Sequence, residues 1–301
     1  MQYDLFDYMK ENKTKNTSCV VFQNASICRG GHRIWSQGNF EIQSGSITAI
    51  VGTNGAGKTT MIDAELGLLP LSEGSIEVLG RPAGQSNSQI GYVPQDYTDN
   101  INSAITAKQS VELGLTGTHF GFKRLSAGEK QRIKDALEFT GLKDKENYRL
   151  SELSGGLRQR AAIAQALVSN PKLLLLDEPM ANLDLASQSS LIELLNRINS
   201  ESGVTIQIVS HDLNLLLPIL TGAVYLLDGH PHYSPISGVL DSELLTHLYG
   251  TKVEVVTTPQ GDMFVTPDNA HRLCNASHKH DEHTAEELAG AHEHADKNRT
   301  K

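Results

Sequence analysis

Gly52-Thr53-Asn54-Gly55-Ala56-Gly57-Lys58-Thr59-Thr60 carries the most specific chemistry in the chain. The run fits G-x-x-x-x-G-K-[ST]; it follows the apolar stretch Ile47–Val51 and opens a helix-period stretch, the setting this motif requires. Glycines at 52, 55 and 57 let the backbone curl, so that the N–H groups of Asn54, Ala56, Thr60 and their neighbours face an anion. Lys58 brings a point charge to the β- and γ-phosphates, and Thr59 brings a hydroxyl to Mg²⁺. A lysine closing a turn that holds nothing would lack a partner, so the reading is a nucleoside triphosphate site. A second element is Leu173-Leu174-Leu175-Leu176-Asp177-Glu178-Pro179, an apolar strand ending in two carboxylates. In an α/β protein that is the sheet edge where ligands bind. Asp177 suits the magnesium and Glu178 suits a general base on water. Alone, such an ending is more often a solvated strand terminus; beside a phosphate loop it reads as catalytic.

These residues need a scaffold, and the chain supplies the pattern for one. Apolar runs at Ile47–Val51, Ile90–Val93, Leu173–Leu176, Thr205–Val209 and Ala223–Leu227 read as strands. Helical patterns at Lys58–Leu69, Gly156–Val168 and Ala186–Ile198 lie between them. The alternation predicts an α/β core with a mostly parallel sheet. From about 96 to 160 helical segments replace strands, near Ala104–Gly114 and Ser126–Gly141, which predicts an inserted helical subdomain. Residues 1–18 read as a polar extension and 19–249 as the main domain. Residues 250–267 read as a small β-hairpin, and 268–301 as a His-rich tail expected to be disordered.

Composition narrows the classes further. The 301 residues hold 26 basic and 35 acidic side chains, a net charge of −9, which disfavours a nucleic-acid backbone as partner. No stretch reaches the ~18–20 apolar residues of a membrane span, and the polar start lacks the apolar region of a signal peptide. Three cysteines (Cys19, Cys28 and Cys274), none in a C-x-x-C pair, suit a reducing compartment.

Leu153-Ser154-Gly155-Gly156-Leu157-Arg158-Gln159-Arg160 brings a family into view. With the phosphate loop, Gln95 after Tyr92-Val93-Pro94, Asp177-Glu178, Ala181-Asn182-Leu183-Asp184 and Ser210-His211-Asp212, it resembles the ATP-binding subunit of ABC transporters. Six motifs stand in family order across residues 20–250. The resemblance implies a P-loop ATPase core with an antiparallel β subdomain and an inserted helical subdomain, using ATP and Mg²⁺. It implies that Ser154, Gly155 and Gly156 close on a γ-phosphate held by a second subunit, giving a homodimer with two ATP between its halves. Asp184 would couple the two sites. Gln95 would contact the magnesium and the attacking water, and His211 would hydrogen-bond the γ-phosphate. Two departures stand out. Leu157 replaces the family's usual glutamine, and alignment puts Arg29 where an aromatic normally stacks on adenine. A guanidinium plane also stacks on a purine, and Trp35 is a second stacking candidate.

One cassette without a membrane domain implies a separate permease chain, with the ATPase on the cytoplasmic face of the membrane. The segments Gly30–Ser36 and Gly238–Gly250 resemble the zinc, manganese and iron-chelate importer cassettes. That implies a divalent-metal importer with an extracytoplasmic metal-binding protein in the same system. Six of the twelve histidines fall between His271 and His294. His278, His280 and His283 with nearby carboxylates form a candidate Zn²⁺ site, weighed against a solvated tail that binds nothing specific. His230 and His232 flank Pro231 in a stretch expected to be a turn, with no ligand role. The alternatives are a cassette for another solute, an exporter cassette, a soluble ABC ATPase of translation or repair, and a regulator without turnover. Soluble ABC ATPases usually carry a second cassette or a long coiled coil, and neither is present. Glu178 and His211, both in place, argue against the regulator.

Overall fold

Strands buried at nearly every position must be covered on both faces. Three such strands, β3 (Ile47–Gly52), β7 (Leu173–Asp177) and β8 (Thr205–Val209), lie side by side in one sheet. The computed structural model describes residues 17–95, 104–117, 124–239, 245–246, 252–257 and 263–267. With β6 (Ile90–Val93), β9 (Gly222–Leu227) and β10 (His230–Pro235) the sheet has six strands in the order β10-β9-β3-β8-β7-β6. The five strands expected from the apolar runs all form and all run parallel; β10 adds an antiparallel edge.

A second, antiparallel sheet has the order β2-β1-β4-β5, formed by β1 (Ser18–Arg29), β2 (His32–Gln43), β4 (Glu73–Val78) and β5 (Arg81–Pro82). Gly30 and Gly31 turn β1 into β2 with φ of 59° and 80°, values that glycine adopts without steric cost. Between the two sheets lies helix α1 (Lys58–Glu65), whose Met61 and Ile62 join one core. Phe22, Ile27 and Trp35 face that core from one side, and Leu175, Val209 and Val224 from the other. The helical pattern to Leu69 is cut short at Glu65. Gly67 takes φ +68°, and a side chain there would meet the Gly84 backbone, so the chain turns instead.

A separate core holds the helical layer. Helices α2 (Ala107–Thr116), α3 (Ala127–Phe139) and α4 (Gly155–Leu167) bury Val111, Ile133, Leu137 and Ala161 against one another. Thr106 with Gln109 and Ser126 with Glu129 close capping boxes at the starts of α2 and α3, each cap worth ~1 kcal/mol. Among the described residues between 104 and 150 the sole strand-like pairing is a bridge from Thr106 to Arg149. Helix α5 (Leu185–Ser202) then covers the parallel sheet.

The chain divides into two compact units, residues 1–240 and 241–301. The second contains an antiparallel pair, β11 (Val253–Thr257) and β12 (Met263–Pro267), in register from Val253–Pro267 to Thr257–Met263. The N-terminal extension up to residue 16 and the tail with His278, His280 and His283 lie outside the described residues.

Gly114 fixes how closely α2 approaches α4, because a Cβ there would overlap the Gln165 carbonyl oxygen and come within 2.6 Å of Val168 Cγ1. Replacement by alanine forces the helices apart, and overpacking of this kind costs about 1–3 kcal/mol. Thermal denaturation of Gly114→Ala is expected to show a clear drop in midpoint; an unchanged midpoint would mean that α2 and α4 do not pack this closely.

Candidate nucleotide site

Register decides where the functional side chains meet. Val209 of β8 pairs with Ile50 of β3 on one side and Asp177 of β7 on the other. β7 and β8 therefore finish level while β3 runs on past Ile50 to Gly52, and the segments that continue from all three reach one edge. The loop after β3 is the phosphate loop, the residue after β7 is Glu178, and β8 leads into Ser210-His211-Asp212.

The loop is tight. Gly55 and Gly57 take φ of +83° and +95°, and Gly57 sits at the N-terminus of α1 against Ile34 and Trp35. Gly52 packs on Leu226, whose Cβ lies 3.1 Å from where a side chain would begin. Lys58 is buried, and its ammonium donates to the carbonyls of Gly52 (2.9 Å) and Thr53 (3.3 Å), so the loop curls around its own cation. The first turn of α1 leaves backbone N–H groups without helical partners, the usual anion seat.

Thr59 Oγ1 donates to Asp177 Oδ2 at 2.8 Å. Asp177 is 2% exposed, and its Oδ1 is buried without a partner. Burial pushes its carboxyl above the ordinary value; the Thr59 hydroxyl opposes that, while the negative Glu178 and Asp63 add to it and Lys58 lowers it. A hydroxyl beside a carboxylate with one bare, buried oxygen is a hard-oxygen pair that suits Mg²⁺. Glu178 adopts φ +48°, a left-handed conformation uncommon outside glycine, held by its N–H donating to Val209 O at 3.1 Å. That turn brings Glu178 Oε2 to 3.4 Å from Gln95 Nε2 and 3.8 Å from His211 Nδ1. An amide, a carboxylate and an imidazole thus converge where an attacking water could be oriented. A cleft of 310 Å³ opens beside them, with Asn182, Leu185 and Gln188 in its wall.

The remaining residues fall elsewhere. Ser154 caps α4 through Leu157 N–H (3.4 Å), and Gly155 and Gly156 pack on Leu183 and Ser187 at the start of α5. Asp184 caps α5, its Oδ1 accepting from the Ser187 N–H at 2.8 Å. That bond, then the Ser187 hydroxyl, holds its carboxyl below the usual value. Ser154, Gly155, Gly156 and Asp184 therefore form one surface of their own, tied to each other through α5. Arg29 is exposed at the end of β1. Trp35 is fully buried, its ring 6.1 Å from that of Phe22, so it belongs to the core and has no face to offer a base. Asp63 and Tyr92 escaped the sequence reading. Asp63 stands four residues after Thr59, one turn along the same helix, and helical spacing alone could have flagged it. Tyr92 nears the same acids, and burial first, then Asp177 and Asp63, pushes its hydroxyl up to about 12.

A family model described as ABC transporter matches residues 36–181. The zinc transport system ATP-binding protein TroB of Treponema pallidum is 32% identical over 221 residues, 73% of this chain and 83% of TroB. The manganese transport system ATP-binding protein MntB of Listeria monocytogenes is 32% identical over 210 residues, 70% of this chain and 87% of MntB. Among solved structures, a chain of a metal-chelate type ABC transporter in an inward-facing conformation superposes with a TM-score of 0.73 and 28% identity. It covers 83% of this chain and 98% of its own. In the described residues no helix is long and apolar enough to cross a membrane.

Gly57 tests the loop geometry directly. An alanine there would clash with Ile34 and adopt a left-handed φ that costs ~1–2 kcal/mol for an L-residue. Gly57→Ala is expected to weaken ATP binding about tenfold or more in calorimetry while leaving the circular dichroism of the fold intact. Unchanged affinity would mean that nucleotide does not depend on this loop.

Proposed function

We propose, on the premise that this chain belongs to the ABC transporter family of ATP-binding subunits, that it powers a separate permease importing zinc or manganese. The chain is an ATP-hydrolysing cassette of that family. The observation that carries the catalytic assignment is the convergence of Gln95, Glu178 and His211 beside the Thr59–Asp177 pair. The metal substrate is supported by what the similar proteins transport. An iron-chelate cargo is the second reading, favoured by the metal-chelate transporter whose chain superposes on this one.

In this reading the backbone N–H groups of Gly52–Gly57 and Thr60, with Lys58, bind the phosphates. Thr59, Asp177 and Gln95 would hold Mg²⁺, which neutralises charge on the phosphate oxygens when bound. Glu178 accepts a proton from the attacking water, and His211 fixes that water and the γ-phosphate. Arg29 stacks on the base. Ser154, Gly155 and Gly156 face the γ-phosphate of a second subunit, because their surface is built on α4 and α5 and not on the phosphate loop. Asp184, capping α5 on that surface, reports one site's state to the other. A homodimer on the cytoplasmic face, a permease beneath it and an extracytoplasmic metal-binding protein complete the system.

Glu178→Gln removes the proton acceptor and keeps the shape. Turnover is expected to fall by about 10²–10⁴ while ATP stays bound and dimers accumulate; hydrolysis at the wild-type rate would remove Glu178 from the role. Mixing Lys58→Ala with Ser154→Arg chains leaves one intact composite site per heterodimer. Partial activity from two inactive parents is expected, and a monomer active at high dilution would exclude sharing. For the cargo, the cassette reconstituted with its permease and binding protein in vesicles should take up radioactive zinc or manganese only with ATP. Uptake of an iron chelate, with neither ion moved, would replace the leading reading by the second.

A further inference from the structure

Glu65, the last residue of α1, is fully buried, and so is Gln207 in the middle of β8. Gln207 is flanked in the sheet by Thr48 of β3 and Leu175 of β7, so its side chain leaves the sheet toward α1. There its Nε2 donates to Glu65 Oε2 at 2.9 Å. The second oxygen of each group, Glu65 Oε1 and Gln207 Oε1, is buried without a partner. An ionised carboxylate would leave two bare acceptors and a negative charge in an apolar core, at a cost of several kcal/mol. A single proton on Glu65 removes the charge and turns one orphan acceptor into a donor for the other.

We propose that Glu65 is held as a neutral carboxylic acid whose Oε1–H donates to Gln207 Oε1, making a doubly hydrogen-bonded strut between the phosphate-loop helix and the strand that leads to His211. The surroundings agree. Among the described residues the other titratable group set against Glu65 is Cys19 of β1; burial, opposed by a hydrogen bond to Thr205 and reinforced by any charge on Glu65, pushes its thiol up to about 11, so it stays neutral too. Burial likewise raises the Glu65 carboxyl to about 8, with the Gln207 bond opposing. The strut acts by position only: α1 begins with Lys58 and Thr59 at one end and is pinned at the other to β8. Its bearing on catalysis rests on the ATPase reading above, whereas its protonation does not.

Folded and unfolded chains differ in this proton. Unfolded, Glu65 ionises near 4.5; folded, near 8. The folded state therefore holds the extra proton, and stability is greatest below the lower value and falls as pH rises toward the upper one. Infrared difference spectra of the full chain, wild type minus Glu65→Gln, read the proton directly. The expected result is the carbonyl band of a protonated, hydrogen-bonded acid at about pH 6, lost as pH passes about 8. Between about pH 6 and 9 the wild-type melting midpoint should drop about 5 °C further than that of Glu65→Gln. The ratio of wild-type to Glu65→Gln ATPase kcat should also fall about twofold or more over that range. Should Glu65→Gln not fold, Gln207→Leu serves, because losing the amide should move the acid band to higher frequency. No acid band at about pH 6, parallel pH profiles in the two chains, or an unmoved band in Gln207→Leu would overturn the strut.

Discussion

The site depends on the pairing of one residue, Val209, with both of its neighbours in the sheet. Parallel strands in register put β7 and β8 to an end together and carry β3 on to Gly52 beside them, so chemistry attached to each reaches the same sheet edge. β3 delivers Lys58 and Thr59 on a helix that starts at once, β7 delivers Asp177 and Glu178, and β8 delivers His211. A one-residue slip of β7 would turn Asp177 to the opposite face of the sheet and lose its bond to Thr59. The apolar runs of these strands are thus more than filler: their coverage on both faces holds the register that the acids require.

Burial then tunes what register has placed. Asp177 accepts from Thr59 inside the protein and keeps one oxygen unsatisfied, a costly arrangement unless a cation uses it. Glu178, one residue on, is only partly covered and points outward through a left-handed turn. Adjacent carboxylates thereby acquire different surroundings, which separates a metal-holding role from a proton-accepting one. Ser154, Gly155 and Gly156 are organised by their own cap at the start of α4 and not by the phosphate loop, while the start of α5 after Asp184 walls the cleft beside Glu178. That division is why the proposed mechanism needs a second copy.

Much of this was legible in the sequence because it is local. A glycine-rich loop between a strand and a helix, and apolar runs of strand length, announce themselves within ten residues. The rest depends on packing. Trp35 reads equally as a stacking ring or a core ring, and only its seat between Phe22 and Gly57 decides for the core. Helix α1 looked longer because Leu66, Leu68 and Leu69 continue the apolar pattern, yet Gly67 meets Gly84 and the helix stops. Asp184 looked like a residue aimed at a partner, and its first task is a helix cap. Glu65 and Gln207 are 142 positions apart, so no window of sequence could pair them.

The central claim is that Thr59 and Asp177 act as one unit created by strand register. A double-mutant cycle on kcat/KM for ATP, with Thr59→Ala, Asp177→Asn and both together at fixed magnesium, tests it most directly. If the two side chains jointly serve one cation, the double variant should be little worse than the poorer single variant. Losses that simply multiply would mean that the residues act independently, and the account of the sheet edge as one assembled site would fail.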